Sequence, residues 1–344
     1  MKQKYVIGID VSKSKLDIAI LNNQLELLQE RVILNNRKSI RAFIKAVLNT
    51  YRITRGEVLV CCENTGIYNR PLEVVCSELD VPLWVEHALK IKWATTDMRG
   101  KDDRKDALRI AQYAIRYNDK LIPYREATEV IKQLGVLNKV REAMLGQKTA
   151  LENRLKEAKT HDAFEYQILS KSFKQVLNAL VKSIKQTEEK IEQLIANDPE
   201  ISQTKALITT IPGIGPQCAV NLIIATNNFT SFQSARHLAC YAGVVPFKNQ
   251  SGTIVKKERV SKMANKNIKK LLHLAAMASI RFDEEIKEYY QRKVSEGKNK
   301  MSVLNAVRNK LVHRIMSVVN RKQAYLSKNE YSSQKTLDFT CLIT

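Results

Sequence analysis

Residues 128–197 constrain the fold more than any other part of this chain. The segment contains no proline and only two glycines, Gly135 and Gly146, and its charged side chains alternate with Leu, Ile and Val. This pattern predicts two long helices, and the polar stretch THDAF at residues 160–164 predicts that they run antiparallel. A dimerising coiled coil and an ordinary helical spacer fit the pattern equally well. In either case the segment separates an N-terminal part of the chain from a C-terminal part.

The N-terminal part alternates between strand and helix patterns. The predicted strands are YVIGID (5–10), LDIAIL (16–21), ELLQERVIL (26–34), a buried strand that begins EVLVCC and ends at Glu63, and VPLWVE (81–86). The predicted helices are NRKSIRAFIKAVLNTY (36–51), IYNRPLEVVCSELD (67–80) and the stretch from Asp103 to about Asn118. A β-rich start followed by βαβα alternation indicates an α/β domain with a mixed sheet.

Four carboxylates stand where such a domain would bring them together. Asp10 and Glu63 each end an apolar strand, and Asp103 and Asp106 share one helix face. Because strand ends gather at one edge of an α/β sheet, the four side chains can converge. Converging carboxylates repel each other, and a divalent cation that prefers oxygen ligands, such as Mg²⁺ or Mn²⁺, relieves the repulsion. Taken singly, each residue also fits an ordinary turn or cap, and Asp102 and Asp103 could simply cap the helix.

The charge of the chain indicates the kind of partner it binds. Its 57 Lys and Arg residues outnumber its 35 Asp and Glu residues, for a formal net charge of +22. An excess of this size favours a nucleic acid, with an anionic membrane surface as the alternative. No apolar run reaches the roughly 18–20 residues of a spanning helix, so membrane insertion is not expected. Six scattered cysteines without a CxxC pair favour a reducing cytoplasm over structural zinc.

Two motifs of the C-terminal part are typical of phosphate binding. LITTIPGIGPQCAVNLIIAT (207–226) has a tight turn at Gly213 and Gly215 and resembles a helix-hairpin-helix element, although a purely structural pair of helices gives the same pattern. Ser251 lies in a polar turn before Gly252, and the helical spacing of the cations that follow indicates a phosphate-contacting face. Those cations are Lys256, Lys257, Arg259, Lys262, Lys266, Lys269 and Lys270.

Three motifs of the N-terminal part resemble one known family. GIDVSK (8–13), ENTG (63–66) and KDDRKDA (101–107) are similar to the motifs of the DEDD transposases, the insertion-sequence family "one-ten", with the Piv-type DNA invertases. The resemblance covers about residues 4–325. It implies an RNase H-like, RuvC-like N-terminal domain in which Asp10, Glu63, Asp103 and Asp106 are the metal ligands. The family usually has Thr or Ser at the position of Asp102, and the spacing to Asp106 favours Asp103 as the third ligand.

The resemblance also implies an architecture and an activity. We expect a catalytic domain over residues 1–125, a helical coiled-coil spacer over 126–200, an all-α transposase domain with the helix-hairpin-helix over 201–326, and a polar tail over 327–344. The implied activity is DNA recombination through a covalent phosphoserine at Ser251, assisted by the metal-bound carboxylates. The implied partners are donor and target DNA, a bridge RNA that pairs with both, and further copies of the chain, from a dimer to a tetramer, at the nucleoid of a bacterial or archaeal cytoplasm.

Three other functions fit parts of the sequence. A resolvase-like nuclease would keep the carboxylates and would use water in place of Ser251. An actin-like ATPase shares the pattern GIDVSKSKLDIAIL but requires a later Gly-rich adenosine motif, which the sequence lacks. A non-catalytic DNA-binding protein would need none of the carboxylates.

Overall fold

The computed structural model describes residues 3–94, 103–232, 234–251, 254–260 and 264–327. For residues 103–104, 247–251 and 254–259 it describes the backbone alone. The chain divides into two compact units, residues 1–126 and 127–344. No helix in the described ranges combines the length and the apolar character that a membrane crossing requires.

The first unit is built on a mixed sheet. Its strands are β1 Tyr5–Val11, β2 Lys15–Asn22, β3 Leu27–Leu34, β4 Val58–Glu63 and β5 Leu83–Glu86. The order across the sheet is β3-β2-β1-β4-β5, in which β2 is antiparallel to both its neighbours and β4 and β5 run parallel to β1. The helices are α1 Arg37–Thr50, α2 Arg70–Glu78, α3 Ala88–Ala94 and α4 Asp103–Arg116. This is the α/β arrangement with a mixed sheet that the sequence predicted; α3 is an element that the sequence patterns did not predict.

Helices cover both faces of this sheet. Strand alternation sends Ile7 and Ile9 to one face, where they share a core with Ile44 of α1. The same alternation sends Gly8 and Asp10 to the opposite face, which α4 covers. The predicted carboxylate positions on β1 and α4 are therefore on the same side of the sheet.

Two long antiparallel helices, α5 Glu129–His161 and α6 Ala163–Ala196, open the second unit. Asp162 joins them, because its backbone N–H donates to the carbonyl of Ala158 and its carboxylate accepts from the first amides of α6. Arg141 Nε donates to Glu188 Oε1 over 2.6 Å, which confirms the predicted antiparallel pairing. We call this pair of helices the α5–α6 arm.

The remainder of the second unit is mostly helical, as predicted. Its helices are α7 Pro199–Thr209, α8 Pro216–Thr226, α9 Ala235–Tyr241, α10 Lys266–Phe282, α11 Glu284–Ser295 and α12 Lys300–Arg321. One element departs from the all-α expectation: β6 Pro246–Ser251 and β7 Ile254–Val260 form an antiparallel hairpin. The β-branched residues Ile254, Val255 and Val260 favour extended backbone there.

The base of the α5–α6 arm packs into the core of the helices that follow it. Leu134 of α5 and Ile195 of α6 belong to the same buried cluster as Leu272 of α10 and Leu311 of α12. The arm is thus anchored at one end. The expected limits of a separate spacer at residues 126–200 and of a polar tail at 327–344 stay predictions.

Candidate functional site

Asp10 and Glu63 lie side by side at the ends of two parallel strands. β1 and β4 are in register through Ile9 and Cys62, so the next residue of each strand is Asp10 and Glu63 respectively. Residues in register on neighbouring strands point to the same face of a sheet, which here is the face that α4 covers. Both carboxylates are half-buried.

Helix α4 brings Asp106 to the same strand ends. A side chain at Gly8 would strike the backbone oxygen of Ala107 and the backbone nitrogen of Ala111, so α4 rests directly on β1 two residues before Asp10. Asp106 is half-buried, and its Oδ1 accepts a hydrogen bond from Arg109 Nη1 over 2.7 Å. Close contact between a glycine and two alanines therefore fixes where this carboxylate lies.

The structure describes the other two acidic candidates, Asp103 and Asp102, only in part or not at all. Asp103 is the first residue of α4, one turn before Asp106, and its side chain lies outside the described atoms. Asp102 lies outside the described residues altogether. The choice between Asp102 and Asp103 as the third ligand thus stays a prediction.

The pKa of Glu63 shows that three of these carboxylates share one electrostatic environment. The pKa is raised above its ordinary value of 4.5, first by burial and then by the negative charges of Asp10 and Asp106. Within the described part of the chain, no group of three or more His, Cys, Asp and Glu side chains is already arranged to hold a metal ion. The site is therefore a set of mutually repelling carboxylates.

Two further carboxylates, which the sequence reasoning missed, continue the line across the sheet. Asp17 pairs with Asp10 in the register of β1 and β2, and Glu86 pairs with Glu63 in the register of β4 and β5. Both are buried, at 3% and 7% exposed. We call Asp17, Asp10, Glu63 and Glu86 the carboxylate row. The strand end at Glu86 was a usable signal, whereas Asp17 joins the row only through strand register, which no sequence spacing reveals.

The two outer members of the carboxylate row are neutralised locally. Lys15 Nζ lies 3.1 Å from Asp17 Oδ2, and Lys90 Nζ lies 3.0 Å from Glu86 Oε1. The buried hydroxyl of Tyr113 on α4 also donates to Glu86 Oε2 over 3.1 Å. Residues of α3 and α4 thus hold Glu86 in place, whereas burial and the neighbouring negative charges raise the pKa of Glu63.

The predicted helix-hairpin-helix forms between α7 and α8, and its two glycines have different surroundings. Gly213 has φ +92°, and a Cβ there would lie 2.6 Å from both the oxygen of Ala275 and the nitrogen of Ser279 on α10. Close packing on α10 therefore requires Gly213. Gly215 is exposed at the N-terminus of α8, and a Cβ there would meet no atom of the described residues within 4 Å. Phosphate binding at this turn stays a prediction.

Ser251 is the last residue of β6 and pairs in register with Ile254, the first residue of β7. The expected helical face of cations is wrong for the residues nearest to it, because Lys256, Lys257 and Arg259 lie on β7. Lys262 lies outside the described residues. The last three cations do lie on a helix, in the first turns of α10: Lys266, Lys269 and Lys270.

Two transposase models match the chain. A DEDD transposase model matches residues 7–160, and a model described as the transposase IS116/IS110/IS902 family matches residues 205–291. The first range contains the carboxylates Asp10, Glu63, Asp103 and Asp106, and the second contains Ser251. The two candidate sites therefore fall in two separately matched regions.

Individual proteins are similar over different lengths. The pilin gene-inverting protein of Moraxella lacunata is 26% identical over 332 residues, which cover 94% of this chain and 98% of that protein. The insertion element IS110 uncharacterized 43.6 kDa protein of Streptomyces coelicolor is 34% identical over 98 residues, 28% of this chain and 24% of that protein. Among solved structures, T. thermophilus RuvC in complex with a Holliday junction substrate matches with a TM-score of 0.29 and 17% identity, over 36% of this chain and 100% of that one. The sheet order, rather than this weak structural match, defines the fold.

Proposed function

We propose that this chain, which matches a DEDD transposase model over residues 7–160 and the transposase IS116/IS110/IS902 family model over residues 205–291, recombines DNA through a covalent bond between Ser251 and a DNA phosphate. The bond would form and break at the ends of an insertion sequence. The carboxylates of the first unit would assist as metal ligands.

The clustered carboxylates are the observation that carries this proposal. Burial, and then repulsion from Asp10 and Asp106, raises the pKa of Glu63, and a divalent cation is the simplest neutralising partner for such a site. The ligand set would be Asp10, Glu63, Asp103 and Asp106. An oxygen-only set suits Mg²⁺ or Mn²⁺. A bound ion would stabilise negative charge on the oxygens of a reacting phosphodiester.

Ser251 would supply the nucleophile. Its Oγ forms a bond to phosphorus, and one bond from phosphorus to a deoxyribose oxygen breaks. The serine proton passes to solvent, and the released deoxyribose oxygen takes up a proton. The phosphodiester that links Ser251 to the DNA replaces the bond that was broken. A second deoxyribose hydroxyl can therefore attack the same phosphorus, displace Ser251 and rejoin the DNA. Lys256, Lys257 and Arg259 follow in the same hairpin and would stabilise the charge that develops on phosphate.

The proposed assembly contains a bridge RNA and more than one copy of the chain. The net charge of +22 supports binding of a second nucleic acid beside DNA. Recombination handles two pairs of strands, which supports a dimer or a tetramer. Sequencing of RNA that co-purifies with the protein and light scattering of the purified complex test these two parts separately.

Substitution of Ser251 tests the proposal directly. Wild-type protein, incubated with Mg²⁺ and DNA that carries the ends of the element, should leave a protein–DNA adduct that survives denaturation. Ser251→Ala should leave no adduct and no recombination but should bind DNA normally. Asp10→Asn should reduce strand cleavage by about 1,000-fold, because a metal contributes several kcal/mol and each 1.36 kcal/mol is tenfold in rate.

The alternatives make different predictions in the same experiment. Cleavage by the wild type without any adduct would favour the metal-dependent nuclease that uses water. An adduct formed by Ser251→Ala would assign the nucleophile to another residue, of which Ser261 is the next candidate. Full cleavage by Asp10→Asn in Mg²⁺ would remove the carboxylates from the mechanism.

A further inference from the structure

The second unit contains a cavity of about 980 Å³ whose wall is strongly basic. Residues of α10, α11 and α12 form most of it, and Pro246 and Val260 close it at the base of the β6–β7 hairpin. Of the described residues that line the cavity, none is an Asp or a Glu. Its cations are Lys269, Lys293, Lys298, Arg308 and Lys310.

Arg308 is the buried cation of this cavity wall. The residue is only 7% exposed. Its Nη2 donates to His273 Nδ1 over 3.0 Å, and its Nη1 lies 3.5 Å from Asn305 Oδ1. Its buried Nε has no hydrogen-bond acceptor among the residues that the structure describes. Within the described part of the chain, no carboxylate pairs with this guanidinium.

Two basic residues beside Arg308, Lys269 and His273, have pKa values that respond to its charge. A guanidinium has no acceptor, so His273 Nδ1 must be the acceptor of their hydrogen bond and carries no proton. Burial and then the charge of Arg308 lower the pKa of His273, and the same two causes lower the pKa of Lys269. The site therefore holds positive charge that no carboxylate of the described residues neutralises.

Such an arrangement is unfavourable unless an anion completes it. A buried charge is normally paired, and a buried polar hydrogen without an acceptor is uncommon in folded proteins. Lys293 has its own partner, since its Nζ lies 2.7 Å from Glu296 Oε2. Lys310 Nζ stands 4.6 Å from the ring centre of Tyr289, which holds it at the cavity wall. Lys298 is exposed at the rim, so Arg308 and Lys269 are the cations that a ligand would meet at the inner wall.

We propose that this cavity binds a backbone phosphate of a nucleic acid, with Arg308 as the anchoring residue and Lys269 beside it. A guanidinium with free donors matches phosphate oxygens, and it needs no sequence information from the bases. The inference rests on the proposed function in one respect, namely that the partner is a nucleic acid. DNA and RNA share this chemistry, so the experiment has an arm for each.

The position of the cavity indicates which phosphate it takes. Ser251 lies five residues along β6 from Pro246, which lines the cavity. At about 3.4 Å per residue of strand, the two ends of β6 are roughly 17 Å apart. The cavity therefore holds a phosphate other than the one that Ser251 attacks, and it positions the nucleic acid rather than reacting with it.

A salt titration of binding tests the proposal. Full-length wild type, Arg308→Gln and Lys269→Gln are titrated with a labelled mixed-sequence DNA duplex and, separately, with a mixed-sequence RNA of equal length. Loss of one phosphate contact should reduce the slope of log affinity against log salt by about 1 and should weaken binding about 10- to 100-fold. If the cavity binds DNA, the smaller salt slope and the weaker binding should appear in the DNA titration. If it binds RNA, they should appear in the RNA titration. Arg281→Gln is the matched control, because Arg281 is exposed on α10 and does not line the cavity.

Thermal unfolding of the same variants separates binding from folding. Arg308→Gln removes an unpaired buried charge, so its Tm should equal or exceed that of the wild type, whereas a purely structural role predicts a lower Tm and unchanged binding. If Arg308→Gln does not fold, the slope of Lys269→Gln decides. Wild-type affinity and slope for both nucleic acids in these variants would overturn the proposal. A wild type that binds neither nucleic acid would instead contradict the proposed function.

Discussion

At the scale of the residue, Glu63 connects the candidate site to pH. Folding raises its pKa above 4.5 through burial and through Asp10 and Asp106. A carboxyl with a raised pKa binds its proton more tightly in the folded state than in the unfolded state. The free energy of unfolding therefore falls as the pH rises from the ordinary pKa through the raised one. Above that window Glu63 is ionised in both states, and its charge destabilises the fold.

Glu63→Gln should consequently stabilise the metal-free protein at neutral pH. The amide keeps the shape of the side chain and removes the charge, so the variant should have a higher Tm than the wild type at pH 7 and a similar Tm below pH 4. Addition of Mg²⁺ should raise the Tm of the wild type more than that of the variant. Differential scanning calorimetry in chelator and in Mg²⁺ measures both effects. Glu78→Gln is the control, because Glu78 lies on α2 and pairs with Arg41.

Most residues of the site could be predicted from the sequence because the ends of the strands could be predicted. Asp10 and Glu63 could be placed because an apolar run stops at each of them, and Asp106 because helix spacing links it to Asp103. Asp17 could not be placed, since only the pairing of β2 with β1 sets it opposite Asp10. Arg308 looks like any other cation of a basic helix, and its burial depends on how α12 packs against α10.

At the scale of the element, the turn between α7 and α8 is expected to be far more sensitive at one glycine than at the other. Gly213→Ala should cost about 2–5 kcal/mol, because it combines a positive φ with a clash against the backbone of α10. Gly215→Ala is the matched control and should cost about 1 kcal/mol or less, because the space around it is open and only the preference of an N-cap for glycine over alanine is lost. Urea unfolding of both variants measures the difference. Equal losses of stability would mean that α10 moves aside for the new side chain.

The elements themselves were mostly predictable because their signals are local. Capping residues such as Asn36, Asp162 and Asp198 accept hydrogen bonds from the first turns of α1, α6 and α7, where the sequence patterns change. The β6–β7 hairpin was mistaken for part of a basic helix, since the charged run from Lys256 to Arg259 separates the β-branched residues Val255 and Val260 and obscures them. Its strands are stabilised by pairing with each other, and this pairing is not visible in either strand alone.

At the scale of the whole molecule, the net charge of +22 predicts a steep salt dependence. If about six to ten phosphates are contacted, affinity for DNA should fall by roughly 10³–10⁵ between 50 and 200 mM salt. Fluorescence anisotropy across that range measures it. An uncharged solute, added in place of salt to give a solution of the same viscosity, should leave the affinity for DNA unchanged. A flat response to salt would show that the excess of Lys and Arg has some other role.

The α5–α6 arm has a consequence for how chains of this kind can diverge. At 1.5 Å per residue its helices are about 50 Å long, and Asp162 alone turns the chain between them. A one-residue insertion in one helix, between Arg141 and Glu188, rotates the residues beyond it by about 100°, so the pairing of these two side chains would be lost. Matched insertions of seven residues in both helices preserve the interface and lengthen the arm by roughly 10 Å. Evolution can therefore change the length of this arm in discrete steps while the core at its base is inherited unchanged.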